Sequence, residues 1–185
     1  PLEAALAEPA PAKPTQDEDT AVAPVVELLN PVHAAGPRYA QIGAGALARI
    51  AYPWQDLLLG WTIEFQPGNA GFLGGTLPEE RRILIYVRER HSVDDVAVTV
   101  AHEIGHAVDL TFNDEHDRRL WRTARGISAA TPWWPSKATT DFDSGAGDWA
   151  ESFAAWQMGA WDFRSQLGPP PTAAQLDLLA SLAGG

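Results

Sequence analysis

The residues in this chain best suited to chemistry are two histidines four positions apart with a glutamate between them, in Val100-Ala101-His102-Glu103-Ile104-Gly105-His106-Ala107-Val108-Asp109. On a helix, positions i and i+4 share a face one turn apart, so both imidazoles can point at one ion. Neutral imidazole nitrogen suits zinc at about 2.0–2.1 Å. Glu103 is rotated around the helix from the two rings. It can therefore reach a water on the metal rather than the metal itself, take that water's proton and return it to a leaving amine. The spacing His-Glu-x-x-His is the pattern of metal-assisted hydrolysis.

The flanking sequence positions this segment. Arg82-Ile83-Leu84-Ile85-Tyr86-Val87 is the strongest strand pattern in the chain, and a helix from Val93 to about Phe112 follows, with Ser92 as N-cap and Asp94 and Asp95 in its first turn. At 100° per residue, Val93, Ala97, Val100, Ile104 and Val108 form one stripe of this helix, and Asp95, His102, His106, Asp109 and Asn113 form the opposite one. Gly105 in mid-helix costs roughly 1 kcal/mol against Ala, which suggests that another backbone comes close there. Before the strand, Tyr39–Tyr52 reads as a helix closed by Pro53, Trp61–Phe65 as a strand, and Gly71-Phe72-Leu73-Gly74-Gly75 as a glycine-rich connection. After the motif come a helix over about 114–125, a loop over 126–147, a tryptophan-rich helix from about Asp148 to Phe163, and a last helix capped by Thr172 with Gln175 and ending near Leu182. Trp133 and Trp134, between two prolines, are either a pocket wall or an aromatic plug under the loop.

A catalytic zinc takes three protein ligands and leaves one position open. With no Cys in the chain, the third candidate is Glu151, which lies opposite the apolar stripe of its helix (Trp149, Phe153, Trp156). His116 is the runner-up, followed by Asp114, Glu115 and Asp117. A purely structural role for Glu151, as the far half of a capping box begun by Asp148, stays open. Asp109 lies on the metal-facing stripe, either as an acceptor that orients one of the imidazoles or as a solvated acid.

His102-Glu103-x-x-His106 with a Glu on a later helix resembles the gluzincin zinc metallopeptidases. Within them, His102 to Asp109 and Ala150-Glu151-Ser152-Phe153-Ala154 resemble the catalytic domain of anthrax-lethal-factor-like peptidases, which include the Pro-Pro endopeptidases. The resemblance implies an α+β zincin-like domain with one zinc held by His102, His106 and Glu151, and Glu103 as general base. It also implies a small mixed sheet whose edge strand, here Ile83–Val87, holds extended substrate above the motif helix. It departs at Asp141-Phe142-Asp143-Ser144, where the family carries an oxyanion-stabilising Tyr, and at Ala155, where it carries an acid. Tyr86, His91 and His116 are the substitutes in reach of the sequence. The expected activity is peptide-bond hydrolysis. The alternatives are a catalytically silent zincin-like binding module and an intracellular regulatory peptidase that cleaves one specific protein. Co or Mn is expected to replace zinc in vitro.

Composition narrows the partners. The 185 residues are 45% hydrophobic and 20% charged, with a net charge of -11, which suits a packed domain and disfavours phosphate backbones or anionic lipid. The absence of Cys excludes disulfides, Fe–S clusters and a thiol nucleophile. No run of about 18 apolar residues is present. The expected partner is a peptide or protein substrate, with no nucleic acid and no membrane span, and the default state is a monomer. Residues 1–37 hold seven of the 15 prolines and six acids against one Lys, and read as a linker or stalk, with a cleft-covering propeptide as the alternative. Residues 38–185 form the folded domain. The chain begins at Pro1, which reads as a trimmed or processed product. The expected location is extracellular or cell-surface in a bacterium, with the signal or anchor outside this chain, and the cytoplasm as the alternative.

Overall fold

The computed structural model describes residues 31–160 and 162–184. Strand β1 (Val32–Ala34) leads into α1 (Pro37–Leu47) and the single turn α2 (Trp54–Leu57). Strands β2 (Thr62–Pro67), β3 (Gly74–Leu77) and β4 (Arg82–Val87) follow, then α3 (Val93–Phe112), α4 (Glu115–Arg125), α5 (Gly145–Met158) and α6 (Ala173–Leu182). The class is α+β. No described helix is long and apolar enough to cross a membrane. The last residues of the expected linker belong to the fold, because Val32–Ala34 pairs with β2 and α1 begins at Pro37; residues 1–30 lie outside the described residues.

The sheet has the order β1-β2-β4-β3, with β3 antiparallel to β4 and the other pairs parallel. This corrects the expected edge: β4 is interior, and the edge above α3 is β3, which the sequence presents only as a glycine-rich connection. Ile63 pairs with Ile83 and Phe65 with Ile85, and these side chains, with Val87, are buried on one face. Each such side chain contributes about 1.5–3 kcal/mol over its exposed state. Period-two alternation puts Thr62, Glu64, Leu84 and Tyr86 on the other face, which is only partly covered.

Helix α3 is buried on every side from Val96 to Asp109, so its polar stripe faces protein rather than solvent. The sheet and α1 cover one side and α5 the other. Ser92 and Asp95 form a reciprocal capping box at its start. Helix α5 begins at Gly145, with the Ser144 side chain accepting from the Gly147 N–H, and stops at Met158, short of the expected Phe163. Asp148 is therefore not the N-cap. It is fully buried and bidentate with Arg125, through Nε to Oδ2 at 2.9 Å and Nη2 to Oδ1 at 2.8 Å, and it accepts the Trp121 indole N–H at 3.1 Å. This cluster joins α4 to α5. Tyr52 donates its hydroxyl to the Ala183 carbonyl at 2.7 Å, and burial pushes that phenol up to about 12.

At Gly105 α5 packs tightly on α3: a methyl there would sit 3.0 Å from the Ala150 Cα and 2.9 Å from the Phe153 Cβ. Helix propensity alone makes Gly105→Ala a gain of about 1 kcal/mol. Overpacking against a second helix's backbone costs about 1–3 kcal/mol, and we expect that to win. The check is a lowered urea midpoint at unchanged m-value; a raised midpoint would show that the helices yield.

Candidate metal centre

His102 and His106 sit in the buried middle of α3, with 5% and 9% of their surface exposed. Their rings meet edge to face at 4.8 Å, with the two Nε2 atoms 3.1 Å apart. The third group is Asp141. Its Oδ2 lies 2.9 Å from His102 Nε2 and 3.4 Å from His106 Nε2. Two ligands of a tetrahedral zinc, at about 2.0–2.1 Å from the ion, stand about 3.3 Å from each other. The three separations bracket that value, and the three ligand atoms form a group able to hold a metal ion.

The hydrogen-bond roles fit a cation. Glu151 Oε1 accepts from His102 Nδ1 at 2.8 Å, so that nitrogen carries the proton. The neutral ring then turns the Nε2 lone pair toward another acceptor, the Asp141 carboxylate. Two acceptors 2.9 Å apart, one buried and one partly buried, repel unless a cation or a proton lies between them. Burial opposes a charged His102, but the hydrogen bonds from Asp141 and Glu151 and the charge of Glu103 prevail and push it up to about 10. Burial likewise opposes ionised Asp141, yet the two imidazoles hold it well below the usual carboxylate range.

The structure brings Asp141, rather than the expected Glu151, up to the two imidazole Nε2 atoms. Glu151 is not in the cluster; it supports His102 from behind. Its carboxylate also accepts the Arg164 backbone N–H at 2.6 Å and Arg164 Nη2 at 3.2 Å, so both of its oxygens are engaged. Hydrogen bonding and Arg164 hold Glu151 ionised in spite of its burial. Asp141 comes from the loop before α5, in a single helical turn over Asp141–Asp143 that is pinned on both sides. Thr140 Oγ1 donates to Asp143 Oδ2, and Ser144 Oγ donates to the Asp141 carbonyl. Phe142 packs edge-on against His102, with its carbonyl accepting from the Gln166 N–H. The one sequence signal for Asp141 was Gly147, which leaves room for the Asp141 carbonyl.

Glu103 is held by the edge strand. Thr76 pairs with Ile83 and so faces α3, where its Oγ1 donates to Glu103 Oε2 at 2.8 Å. Gly74, on the same face, admits the Glu103 side chain: a Cβ there would lie 2.8 Å from Glu103 Cγ.

The remaining candidates lie elsewhere. Asp109 does not orient either imidazole. Its Oδ2 accepts the Trp133 indole N–H at 2.8 Å, and its Oδ1 accepts Asn113 Nδ2 and Arg118 Nε. Trp133 is accordingly a buried plug, while Trp134 is 39% exposed. Tyr86 lies on the sheet face opposite Ile85 and Val87, away from α3, because side chains alternate along β4. His116 is exposed in the first turn of α4, where Asp114 and Asp117 form a capping box and Glu115 pairs with Arg118. His91 lies in the turn before α3, its Nδ1 accepting from the Arg88 N–H at 3.3 Å.

No protein-family model, curated protein or solved structure matches this chain.

Two outcomes test the centre. Asp141→Asn should weaken zinc binding more than Glu151→Gln, whose loss of support should cost roughly 10–100-fold; competition titration against a chromophoric chelator would reverse the order if Glu151 were the ligand. The metal-free centre holds a proton on His102 below pH about 10. Zinc must displace it, so affinity should rise about tenfold per pH unit between about pH 6 and 8. Calorimetry in buffers of different ionisation enthalpy counts the protons released.

Proposed function

We propose that the protein is a zinc-dependent peptidase of zincin-like architecture that hydrolyses peptide bonds, with His102, His106 and Asp141 as ligands and Glu103 as general base. The observation that carries this reading is the convergence of three ligand atoms beside a glutamate that is fastened to a free sheet edge. When bound, zinc supplies Lewis acidity that polarises the scissile carbonyl and brings the pKa of water down to about 7. Glu103 takes the proton from the attacking water and delivers it to the departing amine. Thr76 occupies Oε2, which leaves Oε1 as the basic oxygen. The outer side of β3 has no strand partner among the described residues, so an extended peptide can add to it by backbone pairing. The long helix that carries the motif and the unpaired outer side of β3 support this reading, in which Asp141 stands where the resemblance implies Glu151.

A binding-only module is the competing reading. It draws support from the absence of Tyr86 and His116 from the centre, which leaves the oxyanion without either donor. The two readings separate on Glu103→Gln. In a peptidase this variant keeps about one zinc per chain while cleavage of a peptide library falls by roughly 10²–10⁴-fold. Purified protein that takes up no zinc, or zinc-loaded protein whose digest shows no chelator-sensitive cut, overturns the peptidase reading.

A further inference from the structure

Next to the metal centre lies an open cleft of about 650 Å³. Its walls are the segment ahead of β3, the turn between β4 and α3, the first turns of α3, and the stretch after α5. Arg88, Arg90, His91 and Arg164 line it, together with Asp95 and Asp162. The chain carries a net charge of -11, so three arginines converging on one cleft run against its overall composition.

The charge balance inside the cleft is uneven. Asp95 is committed to the helix cap, accepting from the Ser92 N–H and hydroxyl at 2.8 Å each. Asp162 lies 3.8 Å from Arg164, which also serves Glu151. Arg88 is held in place by the carbonyls of Asn69 and Phe72, at 3.2 and 3.3 Å. Those contacts orient the guanidinium without neutralising it. Neither Arg88 nor Arg90 makes an ion pair among the described residues. An ordered guanidinium with no counter-charge is the group best matched to a carboxylate.

The wall of the cleft is tied to the centre by hydrogen bonds and by the chain. Arg164 reaches Glu151, Glu151 reaches His102, and Thr99 on the cleft wall is one helical turn before His102. Leu73, also on that wall, runs directly into β3. A peptide paired along β3 therefore leads into the cleft.

We propose that this cleft is a specificity subsite for a peptide carboxylate, received by Arg88 and Arg90. The inference rests on the peptidase reading and names its substrate class: peptides bearing an acidic side chain, or ending in a free carboxylate, near the scissile bond.

The test uses the full zinc-loaded chain and three forms of one fluorescent peptide pool. One form has Glu at a fixed position and an amidated C-terminus, the second has Gln there and an amidated C-terminus, and the third has Gln and a free C-terminus. Binding is read by anisotropy and cleavage separately by mass spectrometry. We expect the Glu or the free-carboxylate form to bind roughly tenfold to a hundredfold tighter than the Gln amide; which of the two wins identifies the source of the carboxylate. Arg90→Glu, an exposed substitution that spares the fold, should erase the difference at unchanged zinc content, and Arg88→Gln should reduce it. Equal binding of all three forms, or a preference that survives Arg90→Glu, overturns the proposal. Preferential binding without any cut upholds the subsite and sinks the peptidase reading; cutting without preference does the reverse.

Discussion

Three potential ligand atoms, two imidazole nitrogens and a carboxylate oxygen, face one another inside this protein at 2.9–3.4 Å. With every one of these atoms carrying a lone pair the arrangement is unfavourable, since the two rings are buried and the carboxylate is partly so. A cation at the centre turns the repulsion into attraction. Without a metal, the proton on His102 takes that part, which is why this ring holds its proton so far above the ordinary imidazole range. Much of the surrounding structure serves to keep the three atoms from turning away from one another.

The restraints come from separate parts of the chain. Glu151 fixes the His102 tautomer from α5, and that is possible because Gly105 lets α5 lie against α3. Arg164, beyond the end of α5, balances the charge on Glu151. The turn at Asp141–Asp143 presents its carboxylate because Thr140 and Ser144 pin it at either end. Glu103 is oriented independently, through Thr76 on the sheet edge. Groups that would hold a metal and the group that would move a proton therefore have different supports.

Some of this was legible in the residues. Ser92, two acids and the apolar repeat defined α3 over Val93–Phe112, and alternation defined β4 over Arg82–Val87. The Thr172–Gln175 box began the last helix, as its spacing indicated. The meaning of the polar stripe on α3 was only half legible. Its histidines do converge, but Asp109, on the same stripe, serves Trp133, Arg118 and Asn113. A stripe reports which side chains share a helix face, not which neighbour will cover each of them. Gly74–Leu77 was hidden because a short, glycine-containing edge strand lacks the β-branched pattern on which strand reading depends.

The sequence by itself determined the chemical types and the local spacing: an i, i+4 imidazole pair with an intervening base, on a capped helix that follows a strand. Those features depend on the 3.6-residue period and on capping, both local to the chain. Tertiary structure alone decided that Asp141 completes the cluster while Glu151 stands behind His102. Asp141 is 35 residues from His106 in an aperiodic loop, so no repeat in the chain encodes their approach. What brings them together is the packing of α5 on α3 and the pinned turn at its start, and that packing exists only once the core has formed.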